Sequence, residues 1–174
     1  MPEASGPVIR AFRAADAPGV STLIAATMRI SNARDYPREL LERAIAYYTP
    51  AKLRALARER HCLVALVEGR VVGTAAREGD ALATFFVHPD HQGRGIGTRL
   101  LASLEREARR AGLAELRVPA SVTGASFYER CGYRRVGTIE AGPAAPQVVL
   151  VKELHPGDGV REEPARAPTR TAPR

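Results

Sequence analysis

The chain has 174 residues, 45% of them hydrophobic and 26% charged, and carries a net charge of +7. That length and mixture point to one globular domain whose core is large enough to stand without disulfide or metal staples. No run approaches the roughly 20 apolar residues a bilayer span requires, and residues 1–7 lack the basic start and apolar run of a secretory leader, so a cytoplasmic protein without a membrane partner is expected. Cys62 and Cys131 are too few for a disulfide framework. Each lies in an apolar stretch and reads as a small buried hydrophobe. No metal site is expected. The basic charge invites a nucleic-acid reading, but Arg54, Arg58, Arg60, Arg106, Arg109 and Arg110 alternate with Glu59, Glu105 and Glu107, as on solvated helix faces. Aromatic residues are 5% with no Trp, so no base-stacking platform is evident and no nucleic-acid partner is expected.

Residues 8–13 alternate apolar and polar and read as an edge or hairpin strand. Asp16 is placed as a helix N-cap with Pro18 in the first turn, and that helix runs toward Thr27. A polar connection over 28–37 contains Asn32, Asp35 and Tyr36. The next helix, about 38–48, puts Leu40, Leu41, Ala44, Ile45 and Tyr48 on one face. Thr49 and Pro50 open a short third helix to about residue 60. Three strands follow at 62–67, 71–77 and 82–87, joined by turns at Glu68-Gly69-Arg70 and Gly79-Asp80. The strongest helix spans 95–110, with Ile96, Leu100, Leu101, Leu104 and Ala108 in one stripe and Gly112 as its stop. A strand at 113–118, a helix at 122–131 capped by Ser121, and strands at 133–138 and 147–152 around Gly142-Pro143 complete the order. From His155 onward Pro, Gly and Ala dominate and apolar periodicity ends, so 155–174 reads as a disordered tail after a domain of residues 1–154. Four arginines against three acids leave that tail at +1, so the basic character belongs mostly to the folded part.

Between the third of those strands and the strongest helix lies His91-Gln92-Gly93-Arg94-Gly95-Ile96-Gly97-Thr98. Glycines there let a ligand approach the backbone, and the free N–H groups of a helix start favour a phosphate. Gly97-Thr98-Arg99 lacks the lysine of a P-loop, and the alternating glycines do not match a dinucleotide fingerprint. About thirty residues on comes Phe127-Tyr128-Glu129-Arg130-Cys131-Gly132-Tyr133. Together the two motifs resemble the GNAT superfamily of N-acetyltransferases, and Phe86-Val87-His88-Pro89-Asp90 resembles that family's lead-in strand. The specific likeness covers roughly residues 82–136, and the element order extends it over 8–154.

The resemblance implies a mixed, mostly antiparallel sheet of six to seven strands, splayed at a cofactor gap, with helices on both faces. It implies acetyl-CoA as acyl donor, its pantetheine pairing with backbone near Phe86 and Val87. The pyrophosphate would lie on Gln92, Gly93, Arg94, Gly95, Ile96, Gly97 and Thr98. It implies transfer to a primary amine of a small molecule or peptide, with Tyr128 protonating the departing thiolate. An ordinary tyrosine pKa near 10 suits that work. Phe127 is expected in the core. The strand 81–87 has no carboxylate to serve as base; Glu78 and Asp80 belong more simply to a hairpin turn, and His88 and His91 flank a surface turn. Asp35 and Tyr36 are the leading acceptor-site residues, while Tyr48 is expected in the core. A homodimer is left open. The other reading is an acyl-CoA-binding module without catalysis.

Overall fold

Residues 6–139 and 146–155 are described by the computed structural model, and along them seven strands and five α-helices follow the expected order. They are β1 (Val8–Ala11), α1 (Ala17–Ile30), α2 (Arg38–Tyr47), α3 (Pro50–Leu56), β2 (His61–Val67), β3 (Arg70–Glu78) and β4 (Ala81–Val87), then α4 (Ile96–Arg110), β5 (Glu115–Ser121), α5 (Val122–Arg130), β6 (Arg134–Ile139) and β7 (Gln147–Glu153). The strands form one sheet in the order β1-β2-β3-β4-β5-β7-β6. Every neighbouring pair is antiparallel except β4 and β5.

Strand alternation sorts the core into two layers. Leu63 and Ala65 of β2 face α4 and α5 and join Leu100, Leu101, Leu104, Leu116 and Leu150. Val64, between them, faces α1 to α3 and joins Val20, Ile24, Leu41 and Leu53. Helices therefore cover both faces. None of them, among the described residues, is long and apolar enough to cross a membrane.

Several boundaries differ from the sequence-based expectation. β1 stops at Ala11, because the chain enters a 3-10 turn at Ala14–Asp16. Asp16 holds the N-cap position of α1 but bonds no α1 amide. Its carboxylate accepts instead from Arg13 N–H (2.7 Å) and from both terminal nitrogens of Arg10 (2.7 and 2.8 Å). Helix α1 continues a turn past Thr27 to Ile30, because Met28 and Thr27 are buried against the core. Strand β5 begins and ends later than expected, with Pro119 inside it, and Ser121 then caps α5 by accepting from Gly124 N–H (3.1 Å). Thr49 caps α3 as expected, through Lys52 N–H. Both cysteines are free and half-buried, and burial pushes each thiol up, as suits small apolar side chains rather than nucleophiles. Gly142-Pro143 and residues 156–174 lie outside the described residues.

Candidate functional site

Strands β4 and β5 run parallel but share only the pair Ala81 and Arg117, with Arg117 N–H on Asp80 C=O (2.9 Å). Beyond that point the two halves of the sheet part. A cleft of about 1250 Å³ occupies the parting. It is walled by α4 and α5 on one side and by α1, α2 and the turn after α3 on the other.

A β-bulge shapes the β4 wall. Phe86 lies opposite Thr74 and Ala83 opposite Ala76, so Thr84 and Phe85 share the single partner Ala75. Thr84 takes the left-handed conformation there, at φ 47°. The extra residue reverses the strand's alternation: Leu82, Phe85 and Val87 face the α4 layer, and Phe86 faces the α1 layer. Beyond the bulge, His88 N–H donates to Val72 C=O (2.8 Å). Alternation therefore puts the peptide groups of Phe86 toward β3 and those of Val87 toward the gap. Phe86 reaches the cleft with its ring instead. The Val87 carbonyl is taken by Gln92 Nε2 (3.0 Å) and Thr27 Oγ1 (3.3 Å), which leaves its N–H directed into the parting.

The glycine loop joins this wall to α4. Gln92 spends its side chain on Val87 and Ser31, so it braces the loop. Gly93 and Gly95 sit at φ 71° and 76°, where a side chain is strained, and the space beside each is open. Gly95 is the N-cap of the 15-residue α4, with no side-chain cap on the first amides. Gly97 serves packing: a Cβ there would stand 3.2 Å from the Phe127 ring. Gln92, Gly93, Gly95, Gly97 and Thr98 line the cleft, whereas Arg94 is exposed outside it and Ile96 is buried in the core.

Tyr128 projects from α5 to the cleft, 6% exposed. Its ring is fixed edge-on between Phe85, Phe127 and Tyr133, at centroid distances of 5.6, 5.0 and 5.7 Å. Burial pushes its phenol well above the ordinary value. The expectation of an unperturbed hydroxyl is therefore corrected: the desolvated group stays protonated over the whole working range. Phe127 is partly buried in the α4 layer, as expected.

Across the cleft, Tyr36 Oη accepts from Val122 N–H (2.7 Å) and Asp35 Oδ2 accepts from Thr123 Oγ1 (2.6 Å). Both residues thus tie the α1–α2 connection to the start of α5. Tyr36 lines the cleft and Asp35 does not. Tyr48 packs against Phe86 (6.1 Å) in the α1 layer and also lines the cleft. His91 reaches the cleft and His88 does not. Glu78 ends β3 and pairs with Arg60, and Asp80 stands in the hairpin turn.

Two charged residues expected on solvated helix faces are elsewhere. Glu105 is buried, 6% exposed, and holds Lys152 Nζ (2.9 and 3.0 Å) and Tyr133 Oη (3.2 Å) at the α4 side of the cleft. Its place four residues after Leu101, flanking the apolar stripe, was the pattern that could have revealed it. Arg60 follows α3, bonds Glu78 Oε2 (2.8 Å) and Thr84 Oγ1 (3.4 Å), and lines the cleft. No local pattern marks Arg60, since its partners lie 18 and 24 residues away.

The acetyltransferase (GNAT) domain profile matches residues 32–142. A GCN5-related N-acetyltransferase from Rhodopseudomonas palustris superposes with a TM-score of 0.79 at 30% identity, over 88% of this chain and 99% of that one. The PaiA N-acetyltransferase of Thermoplasma acidophilum, solved with coenzyme A, superposes with a TM-score of 0.74 at 20% identity, over 85% and 99% of the two chains. Among curated proteins, the IAA acetyltransferase of Azospirillum brasilense is 38% identical over 90 residues, 48% of this chain and 58% of that protein. The mycothiol acetyltransferase of Amycolatopsis mediterranei is 46% identical over 52 residues, 26% of this chain and 17% of that protein. The match thus spans less than two thirds of either curated relative. The chain belongs to the GNAT acetyltransferase family, whose acyl donor is acetyl-CoA.

Proposed function

We propose that this chain transfers the acetyl group of acetyl-CoA to a primary amine of a small molecule or peptide by direct attack, with Tyr128 as general acid. The observation that carries this reading is a buried phenol lining a cleft that opens between two parted strands and ends at an uncapped helix start. The chain fits the donor substrate. Open space beside Gly93 and Gly95 admits the pyrophosphate to the first α4 amides, where the helix dipole favours an anion. The Val87 N–H and the aromatic walls suit the amide and alkyl parts of pantetheine. Acetyl-CoA supplies the activated thioester; the protein aligns it and excludes water.

In the reaction the amine nitrogen bonds the carbonyl carbon and the C–S bond breaks. The thiolate sulfur takes the Tyr128 proton, and the ammonium formed at nitrogen releases one to water. The phenolate left on Tyr128 regains its proton from water as CoA departs, and burial, which favours the uncharged phenol, drives that return. The Tyr128 hydroxyl acts in the transition state more than in the bound ground state. Among the described residues lining the cleft the one carboxylate, Glu105, is committed to Lys152, so on this reading the acceptor reaches the site as free amine without a carboxylate base.

Tyr128→Phe keeps the ring and deletes the proton. CoA release with an amine panel should fall about 10²–10⁴-fold, the usual loss for a general acid, while acetyl-CoA affinity and melting temperature hold. Parent activity should also show no alkaline limb from Tyr128 below about pH 10. Unchanged turnover in the variant would remove Tyr128 from the chemistry. Acetyl-CoA binding with no transfer to any amine would point to a binding module.

A further inference from the structure

We infer that the acceptor is an amine that also carries a carboxylate, beside an apolar or aromatic body, and that Arg60 selects it. This rests on the acetyltransferase reading above. The acceptor half of the cleft is walled by Met28, Leu40, Ala44, Tyr47 and Phe86, surfaces that suit a hydrophobic side chain. Into the same half project Arg60, the hydroxyl of Thr84 on the bulge, and Tyr48. The Tyr48 phenol is pushed up by burial, with Thr84 and the Arg60 charge pulling the other way, so it is a neutral donor.

The charges of this half are arranged against a polycation. Glu105 is the sole carboxylate among the described lining residues, and it sits on α4, across the cleft, locked to Lys152. Three acids on this side are paired outside the cleft: Asp35 holds Thr123, Glu42 holds Arg29, and Glu78 holds Arg60 Nε. Glu78 is exposed and offsets the Arg60 charge from the solvent side. Recognition therefore comes from directed N–H groups rather than from net charge. Nε is fixed on Glu78 and Nη1 on Thr84, and no described residue takes Nη2. A carboxylate on the acceptor would receive Nη2–H together with the Thr84 and Tyr48 hydroxyls. Hydrogen bonds of that charge-assisted kind are about twice as strong as neutral ones. An aminoglycoside or polyamine would meet a guanidinium and, among the described lining residues, no unpaired carboxylate.

The test compares matched acceptors by CoA release: phenylalanine, methionine and leucine, each beside its amide and its decarboxylated amine, with spermidine as a polycation. The free amino acids should exceed their amides and amines in kcat/KM by about 10- to 100-fold, the range of a hydrogen bond to a charged group. Arg60→Gln should raise KM for the acids by that factor and leave kcat, acetyl-CoA affinity and turnover of the decarboxylated amines within about twofold. Arg60→Lys, which keeps charge but not the fork, should recover only part of the preference. Equal or better transfer to amides, amines or spermidine by the parent overturns the inference and leaves the acetyltransferase reading intact. So does a loss in Arg60→Gln that falls equally on acids and amines. Absence of both acetyl-CoA binding and CoA release would overturn the two together.

Discussion

Apart from the Tyr128 phenol, the groups read to hold the donor on the α4 and α5 side of the parting are main-chain amides, at Val87 on β4 and at the start of α4, where the loop is set by glycines at positive φ. On the α1 to α3 side they are side chains drawn from separate segments: Tyr36 from a loop, Tyr48 after α2, Arg60 after α3 and Thr84 from a bulge. Backbone recognition demands a fixed local sequence, because only glycine reaches those angles without strain. Side-chain recognition leaves the sequence free to change around a constant fold. The first half suits a ligand that does not vary, and the second suits one that does.

The sharpest way to break that contrast is at Gly95. Gly95→Asp fits sterically, since nothing stands within 4 Å of the new Cβ. It sets a residue with a Cβ at φ 76° and a carboxylate where the pyrophosphate is read to lie. Acetyl-CoA affinity should fall by more than about 100-fold, as expected when several charge-assisted hydrogen bonds give way to like-charge repulsion. Titration calorimetry on folded variant and parent measures this. Equal affinities would mean that the α4 start does not hold the donor.

The same contrast explains what the sequence revealed. Element order, both layers of the core and the glycine loop were legible, because periodicity and positive-φ demands are local. The Ser121 and Thr49 caps were legible for that reason too. The β4 bulge was not: Ala81 to Val87 is uniformly apolar apart from Thr84, and the parity change that sends Phe85 to one layer and Phe86 to the other arises from pairing with β3. Arg60 and Glu105 looked like surface charges because their partners, Thr84 and Lys152, are distant in sequence. Asp35 and Tyr36 were singled out by residue type and location. That reasoning could not distinguish contact with a ligand from the ties they make to Thr123 and Val122.

Those ties offer a middle-sized test on the acceptor side. Tyr36→Phe removes the partner of the Val122 N–H at the first turn of α5. An amide left without its bond costs about 1–3 kcal/mol if buried and less where water reaches it, so a loss near 1 kcal/mol, or about 2–4 °C in a domain of this size, is expected. Acceptor KM should rise several-fold because the α1–α2 connection loses its anchor. Acetyl-CoA affinity should stay put. A matching loss of acetyl-CoA affinity would show that the two halves of the cleft are coupled rather than separately built.

An effect on stability alone, with none on binding, is expected from an acid weakness confined to the acceptor side. Asp16 is held below the usual carboxylate range, first by its hydrogen bonds from Arg10 and then by the Arg13 amide. Glu42 is lowered chiefly by its bond to Arg29. A folded-state pKa below the unfolded one stabilises the fold above the unfolded value, about 3.9 for Asp and 4.3 for Glu. That contribution disappears as pH falls through the lowered folded values. Both pairs brace elements around α1: Arg10 and Asp16 join β1 to its entry, and Arg29 and Glu42 join it to α2. From pH 6 to pH 3, amide protection relative to the intrinsic exchange rate should therefore fall in β1, α1 and α2 before it falls in α4 and β5. Asp16→Asn should melt about 2–4 °C below the parent at pH 6, the effect of losing about 1 kcal/mol. The gap should close toward pH 3, where the parent's Asp16 is itself losing its charge. A gap that persists unchanged at low pH would trace the loss to packing around Asp16 rather than to its charge, and simultaneous opening of both halves would show that acid acts on the sheet as one unit.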